Sequence, residues 1–238
     1  MRMDSNDFPA GGLAVVIGAS GSIGKALFAE ICNSKIFDKV VPLTRSSIPM
    51  IDLLSEETIL NCSKFIAAKT TPLRLVVDAT GILHSTNIIP EKSMKATDGE
   101  TLSKLFQINA IGPLLLMKHF IPLFPKNGKT IFTSLSARVG SISDNKLGGW
   151  YGYRASKAAL NQFIRTAAVE LKRTHPEGIC TAIHPGTVVS TLSQPFSKSG
   201  LDLFTPGEAA QKLFDVIKAF NESDSGGFFD YEKRKIDW

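Results

Sequence analysis

Two tyrosines and a lysine stand close together in the segment GGWYGYRASKAALN, which spans residues 148–161 and has a helical pattern. Residues four apart on a helix share a face, whereas residues six apart differ by roughly 120°. Tyr153 and Lys157 can therefore act together, while Tyr151 stands on another face. A tyrosine beside an ammonium group can exchange a proton with an oxygen of a bound molecule. The spacing predicts that Tyr153 and Lys157 form a proton-transfer pair.

A glycine-rich turn near the N-terminus is typical of dinucleotide binding. Gly18, Gly21 and Gly24 stand three residues apart in GASGSIG, between an apolar run and a helical pattern. Glycines at such a turn let the backbone approach a pyrophosphate, whose charge is met by amides at the helix N-terminus. The position of the turn after the first strand favours a dinucleotide site over a plain loop.

The end of the second predicted strand bears on which dinucleotide is bound. In dinucleotide-binding folds an acidic residue about 20 positions after the turn usually holds the adenosine ribose hydroxyls. Here that place holds Thr44, Arg45 and Ser46, with no carboxylate. A guanidinium can pair bidentately with a 2'-phosphate, although a solvated loop arginine is the simpler alternative. We predict that NADP(H) is preferred and that NAD(H) is possible.

A nicotinamide would complete the electrostatic environment of the tyrosine. A free tyrosine has a pKa near 10, so bringing that pKa near 7 takes roughly 4 kcal/mol. One ammonium about 5 Å away supplies on the order of 3 kcal/mol at an effective dielectric constant of 20. An oxidised nicotinamide adds further positive charge. We therefore expect Lys157 and the cofactor to lower the pKa of Tyr153 together.

The elements that must position these residues alternate between strand and helix. Apolar runs rich in β-branched residues predict strands at 13–19, 39–45, 73–81, 128–136, 178–186 and 226–231. Helical patterns occupy 25–34, 55–68, 103–124, 151–174 and 205–220. Parallel strands need long crossovers, so this alternation predicts an α/β, doubly wound parallel sheet with helices on both faces. We expect one Rossmann-like domain over residues 1–238.

Composition excludes several classes of partner. The chain has 238 residues, of which 43% are hydrophobic, so it can bury a sizeable core. Its 27 Lys and Arg residues exceed its 22 Asp and Glu residues only slightly, and the excess is spread along the chain. We therefore predict no nucleic-acid surface, although a mild positive charge suits an anionic cofactor. The four histidines are scattered, so we predict no metal site.

The apolar segments and the cysteines bear on the compartment. The most apolar stretch, 108–124, is broken by charged residues and prolines before it reaches membrane-spanning length, so we predict no membrane span. The acidic N-terminal segment has no apolar core, and we expect no secretory signal. Cys32, Cys62 and Cys180 show no pairing pattern. We interpret them as buried thiols of a cytoplasmic protein.

These motifs together resemble the short-chain dehydrogenase/reductase family. The resemblance rests on the glycine-rich turn, on INAIG at 108–112, on YRASKAALN at 153–161 and on HPGTVVST at 184–191. It runs essentially end to end, and the segments 134–145, 148–161 and 225–238 are most similar to the C-factor-like and Sniffer-like carbonyl reductases. The resemblance implies hydride transfer between a nicotinamide and the carbon of a small carbonyl or alcohol substrate, in a homodimer or homotetramer.

The resemblance also implies a role for each residue that matches a family motif. Tyr153 is the general acid and base, Lys157 binds the nicotinamide ribose and lowers the pKa of the tyrosine, and Asn109 anchors a water of the proton relay. The implied cofactor contacts, which include Tyr153 and Lys157, are otherwise Gly18, Ser20, Gly21, Ser22, Ile23, Gly24, Arg45, Asp52, Leu53, Ala79, Gly81, Pro185, Gly186 and Val188. Ser190 stands where the family often has threonine.

Several positions depart from the family pattern. Ser22 takes the place of the middle glycine, and Asp78 replaces an asparagine. The family usually places a serine, which bonds the substrate oxygen, three residues before the glycine represented by Gly140, and that position is Ala137. Neighbouring residues of a regular strand point to opposite faces, so this substitution matters if the strand stays regular. The candidate replacements are Ser136, our first choice, and Ser134; these serines can also be purely structural.

Two functions remain open on this basis. The first is an NADP(H)-dependent oxidoreductase that reduces a ketone or aldehyde, or oxidises the alcohol, through a Tyr-Lys-Ser-Asn site. The second is a C-factor-like signalling or regulatory protein in which dinucleotide binding matters more than turnover. The intact pair of Tyr153 and Lys157 favours the first, and Ala137 mildly favours the second. Sugar-nucleotide epimerisation draws only on the glycine spacing.

Overall fold

The computed structural model describes residues 8–189 and 203–238, and Ser190 therefore lies outside the described residues. Strands and helices alternate along these ranges, as the apolar runs predict. The strands are β1 (Gly12–Ile17), β2 (Phe37–Leu43), β3 (Leu73–Asp78), β4 (Thr130–Leu135), β5 (Gly178–His184), β6 (Thr187–Val188), β7 (Leu203–Phe204) and β8 (Phe228–Asp230). The helices are α1 (Ser22–Ser34), α2 (Glu56–Ala67), α3 (Gly99–Phe106), α4 (Gly112–Phe120), α5 (Tyr151–Thr174) and α6 (Pro206–Ala219).

Within the described ranges, the main sheet has six parallel strands in the order β2-β1-β3-β4-β5-β8. β6 and β7 form a separate short parallel pair. The strand order reverses direction at β1, because β2 lies on one side of β1 and β3 lies on the other. A ligand crevice opens at the carboxyl ends of parallel strands at such a switch point. The predicted doubly wound parallel fold is confirmed, and its crevice lies beyond β1 and β3.

The sheet is covered by hydrophobic side chains on both faces. On β1, Leu13, Val15 and Ile17 join a buried cluster that includes side chains of α2, α4 and α5. Ala14 and Val16 join a second cluster with side chains of α1 and α6. A parallel sheet needs this double cover, which is why its strands are nearly continuous apolar runs. The single domain over residues 1–238 stays a prediction.

The helix predicted over 103–124 is interrupted. α3 ends at Phe106, and Gln107–Ile111 forms a π-helical turn before α4 begins. The Gly112 N–H donates to the Gln107 carbonyl, five residues back rather than four. Pro113, in the first turn of α4, has no N–H to direct at the Asn109 carbonyl four residues earlier. The chain is thus irregular at Asn109, the residue to which the family resemblance assigns the water of the proton relay.

The three cysteines are unpaired thiols. Cys62 and Cys180 are buried, as predicted. Cys32 is exposed, so the prediction of a buried thiol is wrong there. The reason is its place on α1, where the neighbouring Ile31 takes the inward position. Across residues 8–189 and 203–238, no helix combines the length and the apolar character needed to cross a membrane.

Candidate active site

The glycine-rich turn joins β1 to α1 at the carboxyl edge of the sheet. Gly18 has a φ of +80°, and an added Cβ there would lie 3.0 Å from the Ala79 carbonyl oxygen. At Gly24 an added Cβ would lie 2.2 Å from the Gly18 carbonyl oxygen. The Gly21 N–H donates to the Gly18 carbonyl at 3.0 Å and closes the turn. Close backbone packing therefore requires glycine at positions 18 and 24, whereas position 21 has ordinary space.

The first turn of α1 offers backbone amides to an anion. Among the described residues no side chain caps it, and it contains no acidic residue. The Lys25 N–H donates to the Gly21 carbonyl, which leaves the preceding amides outside the α-helical hydrogen bonds. Ser20 is exposed, and Ser22 and Ile23 are half-buried. These residues can hold a phosphate group through their N–H groups and the helix dipole.

Arg45 lies in the turn after β2, next to the glycine-rich turn. The two turns adjoin because the Gly18 N–H donates to the Leu43 carbonyl at 2.9 Å. The Thr44 N–H donates to Ser47 Oγ at 2.9 Å and fixes the turn that carries the arginine. The Arg45 side chain is exposed. The structure therefore brings a guanidinium to the edge of the crevice, at the end of the strand that neighbours β1.

Asp52 and Leu53 follow in a loop that packs on α4. The Asp52 N–H donates to Thr58 Oγ1 at 2.9 Å, and Asp52 Oδ1 accepts the Leu54 N–H at 3.0 Å. Gly112 provides the room for Leu53, because an added Cβ on the glycine would lie 2.7 Å from Leu53 Cβ. The loop after β2 is thereby fixed against the helix that follows the π-helical turn.

Asn109 is fully buried and fixes the segment after β3. Its Oδ1 accepts the Ile82 N–H at 2.8 Å, and its Nδ2 donates to the Ile82 carbonyl at 2.8 Å. Nδ2 also donates to Ser156 Oγ at 3.1 Å. An added Cβ on Gly81 would lie 3.2 Å from Lys157 Nζ and 3.4 Å from Asn109 Oδ1. Gly81 thus keeps open a cradle that is bounded by the lysine and the asparagine.

Tyr153 and Lys157 both face inward from α5. Their residues are 8% and 3% exposed, whereas Tyr151 is 39% exposed on another face, as the helical spacing predicts. Lys157 Nζ donates to the Leu135 carbonyl at 2.8 Å, at the end of β4. An ammonium has three N–H donors. Among the described residues only the Leu135 carbonyl accepts a hydrogen bond from Lys157 Nζ, so two donors remain for the hydroxyls of a ligand. The tyrosine and the lysine are brought together at the carboxyl edge of the sheet.

Burial governs the pKa values of this pair. It raises the pKa of the Tyr153 phenol to about 12, opposite to the direction expected from Lys157 alone. Burial lowers the pKa of the Lys157 ammonium to about 8, and the charge of Asp78 opposes this shift. Near neutral pH the phenol is therefore neutral and the lysine is mostly charged. Lowering of the tyrosine pKa by the lysine stays a prediction.

Asp78 is a functional candidate that the sequence revealed only as a departure from the family pattern. It is 1% exposed at the end of β3 and accepts hydrogen bonds from Ser134 Oγ at 2.7 Å and the Thr80 N–H at 3.0 Å. Burial raises the pKa of this carboxyl, while the hydrogen bonds and the charge of Lys157 oppose that shift. Because carboxylates are rare in buried strands, the aspartate at the end of this apolar run is the sequence signal that could have identified a functional residue. Ser134 is committed to this carboxylate.

Ser136 lies just past the end of β4, which ends at Leu135. Its N–H still donates to the Ile183 carbonyl at 2.8 Å, so the pairing with β5 continues to this residue. Ser136 Oγ donates to Asn161 Oδ1 at 2.7 Å, and both side chains are buried. Asn161 stands one helical turn beyond Lys157 on α5, so Ser136 lies against the helix face that carries the pair. Ala137 follows with an extended backbone and precedes a short 3-10 turn.

The turn at Pro185 and Gly186 follows β5. Gly186 has a φ of +79°, and an added Cβ there would lie 2.9 Å from carbon atoms of both Phe204 and Tyr231. The two rings contact each other edge to face at 4.8 Å. Val188 is buried in β6. Aromatic side chains thus support the backbone that is expected to lie over a nicotinamide.

The residues present fit a nicotinamide dinucleotide. The glycine-rich turn supplies amides for a pyrophosphate, and Arg45 supplies positive charge at the neighbouring strand end. The cradle beside Gly81 is bounded by the free donors of Lys157. These groups lie along the carboxyl edge of one sheet, in the arrangement that dinucleotide sites of this fold class use.

Comparisons with known sequences identify the family. A short-chain dehydrogenase model, described as enoyl-(acyl carrier protein) reductase, matches residues 29–208. The chain is 33% identical to C-signal of Myxococcus xanthus over 143 residues, which cover 59% of this chain and 81% of that protein. It is 32% identical to an uncharacterized oxidoreductase of Saccharomyces cerevisiae over 214 residues, covering 84% of this chain and 80% of the relative.

Solved structures share the fold. Carbonyl reductase Sniffer of D. melanogaster matches with a TM-score of 0.82 and 21% identity, over 97% of this chain and 100% of that one. An NADPH-bound carbonyl reductase from chicken fatty liver matches with a TM-score of 0.84 and 21% identity, over 96% and 99% of the two chains. The family match over residues 29–208 and the 32% identity over 84% of this chain show that the chain belongs to the short-chain dehydrogenase/reductase family of NAD(P)-dependent oxidoreductases.

Proposed function

We propose that this protein is an NADP(H)-dependent reductase of a small ketone or aldehyde, and that it can also oxidise the corresponding alcohol. The observation that carries the proposal is the convergence at Gly81, where Lys157 and Asn109 bound one cradle and Tyr153 lies one turn away on the same helix face. This arrangement supports the proposal that a nicotinamide and a carbonyl oxygen meet beside these residues. Carbonyl reductases among the structural neighbours share this fold.

Tyr153 is the group that moves the proton. When bound, NADPH supplies the hydride. The phenol, whose pKa burial raises to about 12, keeps its proton at physiological pH and can give it to the carbonyl oxygen as negative charge develops there. Lys157, anchored on the Leu135 carbonyl, offers its remaining donors to the ribose and its charge to the phenolate that forms. The protein thus contributes orientation and charge placement.

Asn109 is proposed to hold a water molecule of the relay that returns a proton to Tyr153. Its side-chain amide is occupied by Ile82 and Ser156, so we propose that its backbone carbonyl anchors the water. Support comes from Pro113, which lacks the N–H that an α-helix would direct at this carbonyl. The π-helical turn supports the same assignment, because such turns disturb the helical hydrogen bonds.

Arg45 is proposed to select NADP(H) by pairing with the 2'-phosphate. Replacing Arg45 by Asp should lower the ratio of kcat/KM with NADPH to kcat/KM with NADH at least tenfold, since a charge-assisted pair becomes a repulsion. The measurement is initial rates with both cofactors, and Lys126→Asp, at an exposed loop position before β4, is the control. Unchanged discrimination in Arg45→Asp would remove the arginine from the cofactor site.

Ser136 is proposed to donate a hydrogen bond to the substrate oxygen. In this role its hydroxyl gives up the hydrogen bond to Asn161 and donates to the substrate instead. Ser136→Ala should lower kcat at least tenfold, because one donor to the developing oxyanion is lost. Ser134→Ala is the comparison, since that serine bonds Asp78. Turnover near the wild-type value in Ser136→Ala, with a large loss in Ser134→Ala, would transfer the role to Ser134.

A second candidate function is signalling, with dinucleotide binding more important than turnover. It is favoured by Ala137 at the usual serine position, by the bond that occupies the Ser136 hydroxyl and by the similarity to C-signal. One experiment separates the two functions. NADPH oxidation is followed with a panel of aldehydes, ketones and quinones, beside a fluorescence titration of NADPH binding. Turnover of a carbonyl supports the reductase, whereas binding without turnover across the panel supports signalling.

The remaining partner assignments are also proposals. The substrate class is a small carbonyl or alcohol compound, consistent with the family. A homodimer or homotetramer follows from the resemblance, and a cytoplasmic location follows from the unpaired cysteines; both stay predictions.

A further inference from the structure

Glu91 is a buried carboxylate at the N-terminus of the helix that carries Tyr153. The residue is 3% exposed and lies in the segment between β3 and α3. Its Oε1 and Oε2 accept the Gly152 N–H at 3.2 and 3.4 Å. A carboxylate is seldom buried without a specific partner, because removing it from water is costly. Here the partner is a backbone amide in the first turn of α5, 61 residues along the chain.

The first turn of α5 lacks a cap of its own. Trp150 occupies the cap position and makes no side-chain capping bond, and the first turn contains no acidic residue. The chain enters the helix through three successive residues with positive φ, namely Gly148 at +62°, Gly149 at +66° and Trp150 at +51°. A left-handed tryptophan is strained, so surrounding contacts must hold it. The Glu91 backbone carbonyl does so by accepting the Trp150 N–H at 2.5 Å.

The space around this contact is closed. An added Cβ on Gly152 would lie 2.6 Å from Leu105 Cδ1, 2.8 Å from Leu102 Cδ2 and 3.0 Å from Glu91 Oε1. The carboxylate therefore meets the helix between apolar side chains, where its interaction with the positive end of the helix dipole is little screened. Gly152 immediately precedes Tyr153, and the Trp150 ring contacts the Tyr153 ring edge to face at 6.2 Å.

We propose that the Glu91 carboxylate is a positioning residue for Tyr153. It holds the Gly152 amide and therefore the first turn of α5. The Tyr153 phenol, on the next residue, is thereby kept in the position from which it and Lys157 can act on the substrate together. The inference rests on the proposed function of Tyr153 and extends it to a residue that carries no recognised motif. Misplacement by about 1 Å is enough to lower the rate of a catalytic step strongly.

The test compares four variants with wild type in kcat, in the KM of a carbonyl substrate and in the dissociation constant and stoichiometry of NADPH binding. E91A removes the acceptor, and E91D keeps the charge but draws it back from Gly152. E91Q keeps an oxygen acceptor at nearly the same volume. E100Q, at an exposed position in the first turn of α3, is the matched control. The hydrogen bond from the Trp150 N–H to the carbonyl of residue 91 involves only backbone atoms, so we expect every variant to keep it.

We expect kcat to fall at least tenfold in E91A and at least fivefold in E91D, with NADPH affinity and stoichiometry within twofold of wild type. E91Q should keep at least a third of kcat, and E100Q should match wild type. If E91A does not fold, the fivefold loss in E91D is the deciding result. The proposal is overturned if E91A and E91D keep the wild-type kcat. It is also overturned if kcat falls only in proportion to the fraction of protein that binds NADPH, or if E91Q loses as much kcat as E91A.

A Tyr153→Phe arm separates this inference from the proposed function. If Tyr153→Phe retains wild-type kcat, the role of the tyrosine fails, and that of Glu91 fails with it. If Tyr153→Phe is inactive while E91A and E91D turn over normally, only the assignment of Glu91 fails.

Discussion

Replacing Tyr153 by phenylalanine is expected to lower kcat for carbonyl reduction about a thousandfold while NADPH binds within about twofold of wild type. The phenylalanine ring keeps the packing of a side chain that is 8% exposed, and only the proton donor is lost. General acid catalysis by a positioned side chain contributes about 10²–10⁴ in rate, and the expected loss lies within that range.

The neighbouring tyrosine is the matched control for this change. Tyr151→Phe removes the same hydroxyl two residues earlier, from a side chain that is 39% exposed on another helix face. It should leave kcat within threefold of wild type. Initial rates of NADPH oxidation and a fluorescence titration of NADPH give the two quantities for each protein. Equal losses in both variants would mean that the hydroxyl of Tyr153 has no special role.

Replacing Lys157 by methionine is expected to lower kcat about a hundredfold and to change the pH dependence. Burial lowers the pKa of this lysine to about 8, so its charge is present below that pH and is lost as the pH rises through it. The Tyr153 phenol, with a pKa of about 12, keeps its proton throughout this range. The wild-type rate of reduction should therefore fall above about pH 8 because the lysine becomes neutral.

The methionine variant should show no such fall, since it has no charge to lose. Profiles of kcat against pH from 6 to 10 provide the measurement. Lys172→Met, at an exposed position on the same helix, is the control and should keep the wild-type profile. An alkaline fall that persists unchanged in Lys157→Met would assign the titration to another group.

Patterns of residues near one another in the sequence were sufficient to predict the parallel sheet and the pair of Tyr153 and Lys157. Strands buried on both faces are continuous apolar runs, so the periodicity predicts them, and helices between them leave only parallel pairing. The same local rule places Tyr153 and Lys157 on one face of α5, because helical spacing depends only on sequence separation. The helix runs from Tyr151 to Thr174, as predicted.

The π-helical turn at Asn109 was not predictable from periodicity. One residue added to a helical turn changes the spacing of the following apolar residues by too little to stand out in a single sequence. Pro113 is the local signal that could have suggested an irregular helix, because it removes one helical donor. The fixed position of Asn109 depends on Ile82, 27 residues earlier in the chain.

Contacts between distant segments account for the rest of what sequence reasoning missed. Glu91 is one of many glutamates in the sequence, and only the fold brings it to Gly152. The bond from Ser136 to Asn161 likewise joins the end of β4 to α5 and depends on how a helix packs on a sheet. Propensity and spacing do not contain such information, since both describe residues that are near in sequence.

The central claim is that Tyr153 and Lys157 act as one unit, and a double-mutant cycle tests it most directly. The measured quantity is kcat for NADPH-dependent carbonyl reduction in wild type, Tyr153→Phe, Lys157→Met and the double variant. If the lysine acts through the tyrosine, the double variant should lie within about threefold of Tyr153→Phe, because the lysine then has no proton donor to assist. Losses that multiply to about 10⁵ in the double variant would contradict the claim, since each side chain would then contribute independently of the other.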